Sequence, residues 1–261
     1  MPGSFLASYL ARIGLASPGR VDFAWLCRLH AAHVAAIPFE NLDILLGRQI
    51  RLDLESLVAK LIDSRRGGYC FEHNTLLLAA VRELGFEAWP VEARVRVGST
   101  AIRPRSHMAL RVRVDAAEWL VDAGFGGEGP LAPVSMTGTV STQAGFDYRV
   151  AHEGPAWVLQ SRAAAGWIDQ YAFADVDVPA IDFEVANWFT STHPTSPFVR
   201  TLTAQRTTAD ARYVLRYPSY TEIRGGRSAT RDVARGELAP LLREVFLIDM
   251  PADARFPIID G

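Results

Sequence analysis

The chain has 261 residues, 49% hydrophobic and 21% charged, and its 27 Lys and Arg against 29 Asp and Glu leave a formal net charge of −2. This is ordinary globular composition, too apolar for a disordered segment, and its near-neutral charge gives no electrostatic ground for a nucleic-acid or anionic-membrane partner. With only two cysteines, Cys27 and Cys70, a disulfide framework and a four-thiolate zinc site are excluded.

The first third reads as helical. Ser4 is placed to cap a helix on which Phe5, Tyr9 and Ile13 recur at helical spacing and which Gly14 stops. Arg12 interrupts the apolar pattern, so the segment does not read as a signal peptide. No stretch reaches the roughly 18 to 20 apolar residues that span a bilayer, and a cytoplasmic protein is expected. Asp22 is a cap for a second helix, FAWLCRLHAAHVAA, with Phe23, Leu26, Cys27, His30 and Val34 on one face and Pro38 as its breaker. His30 and His33, at ligand-like spacing, read as helix-face residues, and no metal site is expected. Leu54 to Asp63 is a third helix. A fourth begins near Cys70, directly after SRRGGYC, and ends at Gly85.

The period then changes. VEARVRVG and HMALRVRV alternate as strands do, and WLVDAGFG follows a turn over Asp115 to Glu118. Strand-like pieces near Tyr148, Trp157 to Ser161 and Trp167 to Ala172 extend a β-rich block of sheet or barrel character. Ile181 to Thr190 is helical, STHPTSPF is a loop and boundary, ARYVLRY and YTEIR are strands, and Leu238 to Phe246 closes as a helix.

Cys70 is the first candidate for chemistry. A helix start offers unpaired N–H groups and partial positive charge, both of which favour a thiolate, the nucleophilic form of cysteine. Gly67 and Gly68 allow the sharp turn before it. Cys27, in mid-helix, reads as a packing residue. A nucleophilic cysteine needs a base and a group that orients the base. His73 shares the Cys70 helix and reads as a polar helix residue. His107 heads a strand, and Asp122 lies 122 − 107 = 15 residues on. A two-residue turn at Ala116-Ala117 sets Asp122 opposite Arg111, on the side of the sheet that His107 shares, but about four residues, some 13 Å, away along the strands. The segment Gly124 to Gly129 reads on its own as a loop.

These residues together resemble the arylamine N-acetyltransferase family. Arg66-Gly67-Gly68-Tyr69-Cys70-Phe71-Glu72 is similar to its active-cysteine motif, Ile37-Pro38-Phe39-Glu40-Asn41 to its N-terminal signature, Val121 to Gly126 to its aspartate-glycine segment, and Ser191 to Phe198 to the start of its last domain. The resemblance spans essentially the whole chain. It implies an α+β fold in three regions: a helical bundle over 1–85, a β-barrel over 86–190 including a linking helix at about 181–190, and an α/β lid over 191–261. The active-site core would be of the cysteine-protease and transglutaminase kind. It implies a Cys70–His107–Asp122 triad. Acetyl-coenzyme A would acetylate Cys70 and coenzyme A would leave, after which an arylamine, arylhydrazine or N-hydroxyarylamine would take the acetyl group. On this resemblance Gly126, Gly127, Thr192 and Ser196 are expected at the cofactor, and Phe125, Phe198, Tyr69 and Phe39 at the acceptor. Arg66 and Glu40 are expected to pair structurally. Partners would be coenzyme A and a small aromatic amine or hydrazine, in a monomer or homodimer. The competing reading is another Cys-His-Asp acyl transferase or hydrolase of transglutaminase type. A non-catalytic binding protein on the same scaffold is the third.

Overall fold

The structure, a computed structural model, describes residues 5–99, 101–250 and 254–260. Ser4, the expected first cap, lies outside them. Helix α1 (Phe5–Arg12) buries Tyr9 and Leu10, and Gly14 ends the segment at a φ of 73°. Helix α2 (Phe23–Ala36) starts at Asp22, whose side chain accepts from Trp25 N at 2.9 Å, and stops before Pro38. Its buried face is Trp25, Leu26, Leu29, His30 and His33. This corrects the expected face: Leu26 and His30 belong to it, but Phe23, Cys27 and Val34 are only half-buried. The helix is rolled so that His33 meets Tyr9 of α1.

Strand β1 (Phe39–Glu40) and helix α3 (Leu42–Leu45) follow. The expected helix over 54–63 is α-helical only as α4 (Leu54–Leu57) and widens into a π turn, Val58–Asp63. The wide turn carries Lys60, whose ammonium meets Asp43 at 2.8 Å and Glu72 at 2.7 Å. Helix α5 (Cys70–Glu83) has Cys70 as its first residue. Just outside it, Tyr69 N donates to Glu72 Oε2 at 3.1 Å.

The middle of the chain forms strands β2 (Glu87–Val95), β3 (Arg105–Val114), β4 (Ala117–Val121), β5 (Val134–Ser135), β6 (Ser141–Gln143), β7 (Phe146–Glu153), β8 (Ala156–Ala163) and β9 (Gly166–Ala174). They make an eight-stranded antiparallel sheet in the order β5-β4-β3-β2-β9-β8-β7-β6 that curls almost into a barrel. Gln143 ties the seam, accepting from Leu131 N at 2.8 Å and Ala132 N at 2.9 Å and donating to Ala132 O at 3.0 Å. Val91, Ala109, Leu120, Tyr148, Leu159 and Tyr171 fill the interior.

Helix α6 (Ala180–Thr192) and the short helix α7 (Pro197–Arg200) lead to β10 (Thr203–Thr207), β11 (Ala211–Arg216), β12 (Ser219–Arg224) and β13 (Arg227–Asp232). Helices α8 (Leu238–Glu244) and α9 (Pro257–Asp260) close the chain. The expected loop STHPTSPF is thus helical at both ends, and Ser196 caps α7 by accepting from Phe198 N at 3.3 Å. The five-stranded sheet runs β1-β10-β11-β12-β13, so its first strand comes from the N-terminal third. On its other side β1 forms a parallel bridge to Gly68, with Glu40 N donating to Gly68 O at 2.7 Å. This one strand joins the segment before Cys70 to the C-terminal sheet.

Candidate active site

Three elements converge. Helix α5 presents Cys70 from its first position, β3 presents His107, and Asp122 sits just past the end of β4. All three side chains are buried. The β3–β4 register pairs Leu110 with Val121 and Val114 with Ala117. The turn is therefore Asp115-Ala116, one residue earlier than expected, with Asp115 in the left-handed region at a φ of 54°. That shift brings Asp122 level with Ala109, two residues from His107 rather than four. His107 Nε2 reaches Asp122 Oδ2 at 2.7 Å. The other ring nitrogen, Nδ1, is left for the side of Cys70, whose sulfur acts on the imidazole electrostatically and lies 3.7 Å from Ser106 O.

Burial alone would lower the His107 pKa. The charge and hydrogen bond of Asp122, with Cys70 on the opposite side, outweigh it and hold the imidazole up to about 10. Burial would raise Asp122, but His107, Asn74 and Gly124 N–H hold its carboxyl below the usual range. An imidazolium is therefore fixed beside the sulfur at neutral pH, which is the electrostatic setting of a thiolate nucleophile.

Asn74, one turn along α5 from Cys70, did not emerge from the sequence. It donates from Nδ2 to Asp122 Oδ1 at 2.9 Å and to Met108 O at 2.6 Å, and accepts from Ala123 N at 3.1 Å. It locks the Asp122 segment to the helix that carries Cys70. Gly124 permits the approach, since a Cβ there would lie 2.7 Å from Cys70 Cα and 2.8 Å from Asn74 Nδ2. The Cys70 backbone, whose carbonyl oxygen would also lie 3.0 Å away, cannot swing aside without moving α5. Gly124→Ala is expected to cut turnover by about 100-fold or more, the cost of a displacement near 1 Å. Steady-state kinetics on the soluble variant check this, and near-normal turnover would show that the two segments separate freely.

The glycines expected at the cofactor have another neighbour. Gly126 has a φ of 83°, and a Cβ at Gly126 or Gly127 would run into the Gln205 side chain from β10. Gly127 N donates to Gln205 Oε1. Arg212 of β11 donates to Gly127 O at 2.9 Å. The close approach that these glycines allow is thus made by the C-terminal sheet. Neither Gln205 nor Arg212 emerged from the sequence. Thr192 Oγ1 donates to Trp188 O at 2.6 Å within its own helix, and Ser196 Oγ donates to Thr190 O at 2.5 Å. Both hydroxyls serve local backbone.

The four expected aromatic residues fall in two groups, and Tyr69 is fully buried. Phe125 stands edge-on to His107 with ring centres 5.1 Å apart. Phe198 lies 5.6 Å from Tyr69 and 5.9 Å from Phe39. Phe39 and Phe125 line one cavity with Asp122 and Gln205. Tyr171, also missed, packs its ring 4.7 Å from that of His107.

Behind the Cys70 turn lies a buried charge network. Arg66 donates from Nε at 2.9 Å and Nη2 at 2.6 Å to Glu40 Oε1, and its Nη2 lies 3.3 Å from Asp43 Oδ1. Lys60 links Asp43 to Glu72. Removing one partner strands the others in low dielectric. Arg66→Ala is expected to cost about 3 to 5 kcal/mol of stability. Chemical denaturation measures it, and a midpoint equal to wild type would mean that Glu40 and Asp43 find other partners.

Among the described residues, no group of three or more His, Cys, Asp or Glu side chains is placed to hold a metal, and no helix is long and apolar enough to cross a membrane. A family model described as N-acetyltransferase matches residues 22–255. The arylamine N-acetyltransferase of Mycolicibacterium smegmatis is 42% identical over 228 residues, covering 85% of this chain and 83% of that protein. That of Escherichia coli (strain K12) is 38% identical, over 74% of this chain and 69% of that one. Among solved structures, the arylamine N-acetyltransferase of M. tuberculosis superposes with a TM-score of 0.92 at 35% identity, covering 98% of this chain and 100% of that chain. The Mycobacterium marinum enzyme in complex with CoA gives a TM-score of 0.86 at 36% identity, over 93% and 92% of the two chains. Fold, residue pattern and relatives agree, and the chain belongs to the arylamine N-acetyltransferase family.

Proposed function

We propose that this chain transfers an acetyl group from acetyl-coenzyme A to arylamines, arylhydrazines or N-hydroxyarylamines through a thioester on Cys70. The observation that carries the reading is the buried Cys70–His107–Asp122 constellation at the start of α5. In the first half-reaction Cys70 Sγ attacks the acetyl carbon, the carbon–sulfur bond to coenzyme A breaks, and the His107 imidazolium gives its proton to the departing thiolate. One thioester replaces another, so the exchange is close to isoenergetic and no strong acid is required. In the second half the acceptor nitrogen attacks the Cys70 thioester, the sulfur leaves as thiolate, and His107 takes up the nitrogen's proton. Asp122 holds the imidazole in the tautomer that both steps require. The developing oxyanion is met by the N–H of Cys70, which as the first helical residue has no carbonyl partner within the helix.

The aromatic walls suit the acceptor. Phe125 beside His107, and Phe39 on the same cavity, offer edges and faces to an aryl ring. The relative solved with CoA supports the donor. The test is intact-protein mass spectrometry after mixing with acetyl-coenzyme A, with and without an arylhydrazine. One acetyl adduct on Cys70, cleared by the hydrazine with formation of the acetylhydrazide, is expected. No adduct on a Cys70 that alkylates readily would favour the transglutaminase-type alternative.

A further inference from the structure

The triad leaves α2 unused, yet that helix reaches both of the segments that must meet. His30 and His33 lie three residues apart on its buried face, and neither is solvated. His30 Nε2 is 2.9 Å from the backbone oxygen of Asp122. Since that oxygen only accepts, the nitrogen carries the proton, and His30 Nδ1 has no hydrogen-bond partner. The ring therefore makes one directed bond, and it goes to the triad aspartate's own carbonyl.

His33 serves the other segment through a relay. Its Nε2 is 2.9 Å from His73 Nδ1, and His73 Nε2 is 3.1 Å from both Gly68 O and Pro38 O. Two carbonyls fix the proton on His73 Nε2, which makes His73 Nδ1 an acceptor and His33 Nε2 a donor. His33 Nδ1 is then the acceptor for Tyr9 Oη at 2.8 Å. The bonds all point one way, from Tyr9 through His33 and His73 to the carbonyl two residues before Cys70. A generic packing role would not require directional bonds that end on these two carbonyls.

We infer that His30 and His33 are positioning residues, holding the Asp122 segment and the Cys70 segment at a fixed separation from one rigid helix. The inference rests on the acetyl-transfer reading above. It assigns to α2 the spacing between nucleophile and carboxylate, which Asn74 secures from the opposite side.

The experiment compares wild type with His30→Leu, His30→Gln and His33→Leu, reading the rate of Cys70 acetylation by acetyl-coenzyme A and the titration of His107 by NMR. Wild type must acetylate on Cys70; if it does not, the functional reading fails and the histidine question is not reached. In His30→Leu the acetylation rate is expected to fall at least tenfold, and the His107 midpoint to drop from about 10 as Asp122 drifts from it. Glutamine can return a donor to the Asp122 carbonyl, so His30→Gln is expected to recover most of both. His33→Leu is expected to slow acetylation with a smaller drop of the His107 midpoint than His30→Leu gives, because it releases only the Cys70 side and leaves the larger influence of Asp122 in place. Should His30→Leu not fold, His30→Asn, polar but too short to reach the carbonyl, takes its place with the same expected losses. Rates within twofold of wild type in the leucine variants overturn the inference. So does an equal loss in the leucine and glutamine variants with the His107 titration unchanged, which is what packing alone produces.

Discussion

Asp122→Asn is expected to lower acetyl transfer about 10³- to 10⁴-fold while the chain stays folded. The reason lies in which donors surround the carboxylate. Oδ1 accepts from Asn74 Nδ2 at 2.9 Å and from Gly124 N at 2.9 Å, and Oδ2 accepts from His107 Nε2. An asparagine has one oxygen, and two fixed donors claim it on the Oδ1 side. Its NH₂ is then turned toward His107, which must present a bare Nε2 and carry its proton on Nδ1, facing Cys70. That tautomer cannot accept a proton from the thiol, and no charge remains to stabilise an imidazolium. The hydrogen-bond count is kept, so stability should change little. Rapid-quench measurement of Cys70 acetylation, with circular dichroism as the control for folding, decides the matter. A loss under tenfold would show that Asp122 does not orient the base.

Stability is also expected to fall steeply in mild acid. Burial pushes His30 and His73 down to about 4, and drives His33 well below its ordinary value, with further push from the charges of His73, His30 and Arg12. In the unfolded chain these three groups titrate near 6.5. Between pH 6.5 and about 4 the unfolded state thus binds up to three more protons than the folded state, and stability must fall as pH falls. Glu72, raised by burial, takes up a proton in the folded state and offsets up to one of these. The net slope is about 3 to 4 kcal/mol per pH unit near pH 5. By pH 5 the accumulated loss is about 4 to 6 kcal/mol, a large share of a typical reserve of about 5 to 15 kcal/mol. His107 behaves oppositely: held up to about 10, its contribution is complete below pH 6.5 and is lost as pH rises toward 10. Stability should therefore peak near neutrality. Denaturant melts at pH 5, 6 and 7 measure the slope, and a flat profile would mean that the three histidines are hydrated when folded.

Much of this was legible from residue order, for local reasons. Asp22 caps α2 and Gly67-Gly68 precede a helix that begins at Cys70, because caps and turns depend on near neighbours. Side-chain parity put His107 and Asp122 on one face of the sheet, but the register missed by two residues. Asp115 takes a left-handed conformation that starts the turn one residue early. Strand β10 escaped notice because its buried residues include Thr203, Gln205 and Thr207, so it lacks an apolar alternation. With it went Gln205, and with β11's inner face Arg212, the two residues that hold the glycine segment. Asn74 carries no local sequence signal, since its partners, Met108, Asp122 and Ala123, come from other segments. The relay from Tyr9 to His73 spans 73 − 9 = 64 residues and has no local pattern.

Strand β1 has a consequence for the order in which the protein is made. One of its edges is filled by Gly68, about thirty residues on, and the other by β10. Beside it Asn41 accepts from Thr203 N, 162 residues away in the chain. At about 5 to 20 residues per second on the ribosome, the second partner emerges some 7 to 27 seconds after the first. The helices and the nucleophile's turn can assemble in that interval with one edge of β1 still open. Closing it is a long-range event that carries the entropy of a large loop, and it brings Gln205 and Phe198 with it. The cavity wall that Gln205 contributes is therefore the last part of the site to be built.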